Sequence, residues 1–234
     1  MQRHSWKLWA AAGLSAALLE LPFPLAGPMP AWRSVFAWFG LVPLLWAILS
    51  PGCREPAKLE RPRPLRRAFL LAYLCGVLWY CGNCYWVRDT MLRYGDMPPM
   101  APTLLLLGFS LVLGLYFGLF GLGVMLVRRA TGSTRLALVA APIFWVALEL
   151  AAARITSVPW DQLGYSQVDN ALVNQLAPWT GVYGISFLLV AVNALLAGGL
   201  VLDRSSHRRL SGLAGAVLFL AGWAGVLLPP PRPA

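Results

Sequence analysis

PTLLLLGFSLVLGLYFGLFGLGVMLV, residues 102–127, contains no charged side chain, and Arg128 and Arg129 follow it at once. A bilayer's hydrocarbon core is roughly 30 Å thick and an α-helix rises about 1.5 Å per residue, so about 20 apolar residues cross it. Six further runs have this character, at 6–24, 32–50, 66–87, 136–154, 181–202 and 209–228. Backbone in lipid must satisfy its own hydrogen bonds, and the strand-length alternation of a barrel is absent. The sequence therefore predicts an all-α fold: a polytopic transmembrane bundle of about seven helices over 1–228, with a short tail at 229–234. Composition agrees, at 59% hydrophobic and 12% charged residues; soluble domains carry roughly 25% charged residues.

The net charge of +10 invites a nucleic-acid reading, but the positions of the basic residues exclude it. With the N-terminus inside, Arg3, Lys7, Arg54, Lys58, Arg61, Arg63, Arg66, Arg67, Arg128, Arg129, Arg135, Arg204, Arg208 and Arg209 fall on the inner side. Arg33, Arg88, Arg93, Arg154 and Arg232 fall outside. This is the positive-inside asymmetry. No basic face interleaved with aromatic rings is present, so no nucleic-acid partner is expected. The first run resembles a signal peptide in outline. Glu20 within it and the Pro-rich exit fit a retained helix better.

The inner connections at 128–135 and 203–208 are short, which predicts antiparallel helix pairs. Pro51, Pro56, Pro62 and Pro64 mark the 51–67 segment as a connector. The outer connections, 25–31, 88–101 and 155–180, carry most of the Trp, Pro and Asp outside the helices, so function is expected on that face. Gly114 and Gly118 form a small-xxx-small pair suited to close helix approach.

Candidate chemistry is sparse. Glu20 and Glu149 lie in apolar runs, where ionisable groups are costly and face protein or water. Trp145 and Glu149 are four apart and share a helix face. Glu149 reads equally as a functional carboxylate or as a partner of Arg154, and Glu20 reads as a carboxylate reaching the interface. Asn193 reads as interhelical glue. Cys81-Gly82-Asn83-Cys84 is a CxxC inside an apolar helix, without a second CxxC or a nearby His, and packing accounts for it best. His4, His207, Lys7 and Lys58 all fall on the inner side. The outer face therefore lacks the imidazole or ammonium that would activate a nucleophile. No catalytic residue, metal site or cofactor is expected.

Pro159-Trp160, Gly164-Tyr165-Ser166-Gln167, Ala141-Pro142, Trp145 and Glu149 resemble the apolipoprotein N-acyltransferases. So do Leu21-Pro22-Phe23-Pro24, Leu41-Val42-Pro43, Gly82, Tyr85-Trp86-Val87, Gly95-Asp96-Met97-Pro98 and Tyr116 with Gly118. The pattern departs at Ala152, where the family often has Arg, and at Ser157-Val158, where a Gly is usual. The resemblance implies a bacterial inner-membrane location, with functional loops facing the periplasm. It also implies phospholipid and a diacylglyceryl-cysteine lipoprotein as substrates, through a cysteine thioester. In the family a Glu, a Lys and the nucleophilic Cys belong to a nitrilase-like domain following the seventh helix, and none of them maps onto this sequence. The chain is thus expected to be a membrane portion, truncated or split and inactive alone, with a separate nitrilase-like polypeptide as one way of completing it. Trp86, Tyr116, Trp145, Glu149, Trp160, Gly164, Tyr165, Ser166 and Gln167 are the expected lipid- and substrate-positioning residues. A non-catalytic lipid-binding or scaffold protein of the same fold is the alternative. A small transporter is a weaker one, since no internal repeat is present.

Overall fold

The computed structural model describes residues 5–23, 30–50, 63–98 and 100–228. Cys53, most of the Pro-rich connector and the tail at 229–234 lie outside the described residues. The helices are α1 (Ser5–Glu20), α2 (Val42–Leu49), α3 (Arg63–Asn83), α4 (Tyr85–Tyr94), α5 (Met100–Thr131), α6 (Thr134–Ile155), α7 (Ala177–Val201) and α8 (Ser205–Ala224). Three 3₁₀ segments, Ala31–Trp38, Leu163–Gln167 and Val173–Leu176, complete the order, and no strand occurs among the described residues.

Among the described residues, five segments are long and apolar enough to cross a membrane: Ala31–Leu49, Pro64–Tyr94, Met100–Thr131, Thr134–Ile155 and Val173–Val201. The first and seventh runs fold as α1, of 16 residues, and α8, of 20; neither is among those five. Leu104, Leu111, Leu115, Leu119, Val139, Ile143, Leu213, Val217 and Leu220 are exposed. An outward apolar surface of this extent suits lipid and not water.

Two of the runs are interrupted. The 32–50 run becomes a 3₁₀ segment followed by α2, with Phe39, Gly40 and Leu41 between them. Breaking a helix frees backbone groups that lipid cannot satisfy, so neighbouring side chains must. Asn193 of α7 does this: its Oδ1 accepts from the Leu41 amide at 2.8 Å, and its Nδ2 donates to the Ala37 and Leu189 carbonyls at 2.9 and 2.8 Å. Ser15 Oγ accepts from the Leu44 amide at 2.9 Å, and Arg128 Nη1 donates to the Leu49 carbonyl at 2.8 Å. Trp38, Leu41, Leu44, Leu45, Ile48 and Leu49 are fully buried, so this short broken segment is the centre of the bundle. The 66–87 run, expected as one helix, ends at Asn83. Cys84 is non-helical, and α4 carries the chain on to Tyr94.

Helix packing follows the small residues. A Cβ at Gly114 would meet Val77 at 2.6 Å, one at Gly118 would meet Phe69 at 2.6 Å, and one at Gly121 would meet the Ala68 carbonyl at 2.6 Å. The glycines of α5 therefore let α3 lie against its backbone. A similar face joins α7 and α8, where Gly199 and Gly212 approach and Gly215 abuts Leu196. The α5–α6 connection is as tight as its length predicts. Gly132 takes φ +66°, and Ser133 Oγ caps α6 by accepting from the Leu136 amide at 3.3 Å.

Candidate functional site

The end of α1, the α3–α4 break, the middle of α5, the last turns of α6 and the 156–170 loop meet in one region of the bundle. Three carboxylates converge there. Glu149 Oε1 accepts from Trp145 Nε1 at 2.8 Å and from the Leu163 amide at 2.7 Å. Its Oε2 is enclosed and makes no hydrogen bond of ordinary geometry. Asp161 Oδ1 accepts from Asn83 Nδ2 at 3.0 Å, and its Oδ2 accepts from the Cys84 thiol at 3.2 Å. Asp161 thus ties two side chains at the α3–α4 break to the loop, while the Cys84 amide donates to the Tyr80 carbonyl at 3.0 Å. Burial pushes its carboxyl up to about 6, against the opposing pull of the Cys84 and Asn83 bonds. Glu20 turns its carboxylate against Gly82, where a Cβ would collide with it. Both Glu20 oxygens are enclosed without a hydrogen bond of ordinary geometry.

A cavity of about 30 Å³ opens between these groups, lined by Tyr80, Tyr116, Phe117, Trp145, Glu149 and Asp161 among others. This is room for about one water. The walls are interlocked rings: Trp145 meets Phe117 and Phe120 edge-on at 5.0 and 5.1 Å, and Trp79 meets Tyr80 at 4.7 Å. Trp79 Nε1 also donates to the Leu19 carbonyl at 3.1 Å, fixing the end of α1. No Lys, Arg or His lines the cavity. The chamber can hold water or protons and can attract a cationic group, but it contains no activated nucleophile. Cys84 is buried with its thiol donating a hydrogen bond to Asp161, Cys75, Cys81 and Cys84 are free thiols, and no cluster of three metal-binding side chains occurs among the described residues.

The Gly164–Gln167 segment does different work. Gly164 seats against α7, where a Cβ would meet the Val182 carbonyl at 2.5 Å, and its amide donates to Ser186 Oγ at 2.9 Å. Ser166 Oγ donates to the Leu163 carbonyl at 2.6 Å. Gln167 is fully buried. Its Oε1 accepts from Trp38 Nε1 and Asn170 Nδ2, both at 3.1 Å, and its Nε2 donates to the Ser34 carbonyl and Ser166 Oγ, both at 3.0 Å. Asn170 Nδ2 continues the chain to the Gly222 carbonyl of α8 at 2.9 Å. This network ties the loop to the first 3₁₀ segment and to α8. Only Tyr165 of the four presents its ring outward, at 47% exposure.

Of the residues expected from sequence, Trp145, Glu149 and Tyr116 come together at the chamber. Trp86 and Trp160 meet edge-on at 6.2 Å on its outer rim, both exposed. Gly164, Ser166 and Gln167 point into the protein. Glu149 spends Oε1 on Trp145 and Leu163 and makes no ion pair with Arg154, which is exposed. Glu20, expected at the interface, has both carboxylate oxygens enclosed against Gly82 and does not line the cavity. Asn83, Cys84 and Asp161 were missed as a group. The signal was faint: a Gly-Asn pair within an apolar run, and an acid directly after a Trp.

These features define a class: a helical multi-pass membrane protein with a buried carboxylate chamber under an aromatic rim. The family model for the apolipoprotein N-acyltransferase N-terminal domain matches residues 15–195, and the chain belongs to that family. Similar proteins are the apolipoprotein N-acyltransferases of Geobacter metallireducens (35% identical, covering 79% of this chain and 32% of the relative), Ralstonia nicotianae (33%, 90% and 40%) and Coxiella burnetii (29%, 88% and 41%). The chain spans roughly a third to two fifths of the length of these relatives.

Proposed function

We propose that this chain supplies the membrane domain for transfer of an acyl chain from phospholipid to the N-terminal diacylglyceryl-cysteine of lipoproteins, providing anchoring and lipid access but no nucleophile. The observation that carries the reading is the chamber residue Asp161 directly following exposed Trp160, whose ring meets exposed Trp86, with Tyr165 and Trp179 also exposed. Rings with a polar edge favour the level of lipid headgroups. Two lipidated substrates must meet at that level, and holding them there replaces diffusion by oriented encounter. In this reading α1 and α8 also cross the inner membrane. The N-terminus is inside, and the 155–180 loop and the C-terminus face the periplasm.

A chimera tests it. This chain replaces the corresponding N-terminal segment of the Geobacter metallireducens enzyme, and N-acylation of a diacylglyceryl lipopeptide is followed by mass spectrometry. The chimera transfers acyl chains and the chain by itself does not. A membrane-inserted chimera that binds neither phospholipid nor lipopeptide would refute the reading. Transfer by the lone chain would refute its division of labour. Thiol labelling at positions 96 and 169 from outside intact spheroplasts checks the sidedness.

A further inference from the structure

At the other end of the bundle, α6, α7 and α8 part to leave a groove of about 580 Å³. Its walls are Leu138, Val139 and Pro142 of α6, Phe187 and Ala191 of α7, and Leu210 of α8. Val139, Phe187 and Leu210 are exposed, so the groove opens sideways to the lipid. The volume lies within the roughly 300–1,000 Å³ of small-molecule sites, and the walls suit a hydrocarbon chain. The mouth is different. Arg135, at the start of α6, and His207, at the start of α8, reach across it and meet each other. Both are hydrogen-bond donors when protonated, and they come from the two tight connections of this end. Segments 128–135 and 203–209 contain Arg128, Arg129, Arg135, Arg204, Arg208 and Arg209 against the single acid Asp203.

We propose that this groove is a binding site for an anionic phospholipid, with the phosphate between Arg135 and His207 and one acyl chain along α6 and α7. An apolar groove in a bilayer takes up some chain in any case. The specific element is the mouth, where two donors from different helices converge and an anion would bridge them. Basic pockets between membrane helices hold acidic lipid heads in this way. The site lies away from the carboxylate chamber and does not depend on the acyl-transfer reading.

The test is native mass spectrometry of the full chain, loaded with equal amounts of phosphatidylglycerol and phosphatidylcholine of the same acyl chains. The wild-type chain retains phosphatidylglycerol about tenfold in preference. The Arg135→Gln, His207→Gln double variant loses most of that preference, while Ala191→Trp, which fills the groove but keeps the charges, lowers retention of both lipids. Equal retention of the two lipids by the wild-type chain overturns the proposal without any variant. An unchanged preference in the double variant also overturns it, as does a lipid-free dimer that hides the groove.

Discussion

Two apolar segments of this bundle are interrupted, and different chemistry closes each interruption. At residues 39–41 the freed backbone is met by the neutral amide of Asn193, whose donor and acceptor are both used. At Cys84 the neighbouring side chains are met by a carboxylate, Asp161, and two more carboxylates sit nearby with oxygens left over. A neutral group with every bond made rigidifies a core. Buried acids with unused oxygens cost stability. The first break is therefore scaffold, and the second leaves buried carboxylates beside the candidate site.

The largest effect is expected at the first break. Asn193→Leu keeps the volume and strands the Leu41 amide and the Ala37 carbonyl in a dry core. Each buried group left unpaired costs about 1–3 kcal/mol, so the loss is roughly 3–5 kcal/mol, read as a large drop in thermal unfolding temperature in detergent. A change below about 1 kcal/mol would mean that the backbone there finds other partners, and the contrast between the two breaks would lose its scaffold half.

At the second break the prediction concerns pH. The Asp161 carboxyl lies near 3.8 when unperturbed and at about 6 in the folded protein. Between those values the folded chain holds a proton that the unfolded chain has released. Its contribution to stability is therefore present at about pH 4, falls as pH rises to about 6, and stays low above that. Two pK units correspond to roughly 3 kcal/mol at most. Asp161→Asn should flatten that part of the stability profile, and an unaltered slope between pH 4 and 6 would remove Asp161 as its source.

The contrast between the breaks also shows what the sequence could carry. Runs of apolar residues and basic connections are local signals, and they announced an all-α bundle with a short connection at 128–135, which holds Gly132 at φ +66°. The spacing of Gly114 and Gly118 announced close packing, and α3 occupies that face. Asn193 was readable as a polar link because a lone amide in an apolar run has few other uses. The interruption at Cys84 was not readable, since the 66–87 run stays apolar through it and its partner Asp161 is 77 residues away. Gln167 was expected to position lipid or substrate, and its burial was unreadable for the same reason. Its partners Trp38 and Ser34 lie 129 and 133 residues off, and no local pattern encodes that distance.

Glu149→Gln separates charge from geometry at the chamber. The amide oxygen can still accept from Trp145 and Leu163, so stability should change by about 1 kcal/mol or less. Acyl transfer by the chimera should fall at least about tenfold if the carboxylate's charge or proton is used. Unchanged transfer would make Glu149 a hook for the loop and nothing more.

The smallest stability effect is expected on the rim. Trp160 is 43% exposed and meets Trp86 edge-on, a contact of about 1 kcal/mol or less beyond area burial. Trp160→Ala should therefore leave the unfolding temperature nearly unchanged in detergent, where no headgroup layer exists to receive the ring. In phospholipid nanodiscs the same substitution should weaken capture of a fluorescent diacylglyceryl lipopeptide several-fold, because a ring at headgroup level contributes only when there are headgroups to meet. Asn193→Leu should show the reverse pattern, with a large loss in detergent and little further change in capture among the molecules that remain folded. If the two substitutions behaved alike in both media, the rim would be one more piece of packing, and the separation of scaffold from site along this bundle would fail.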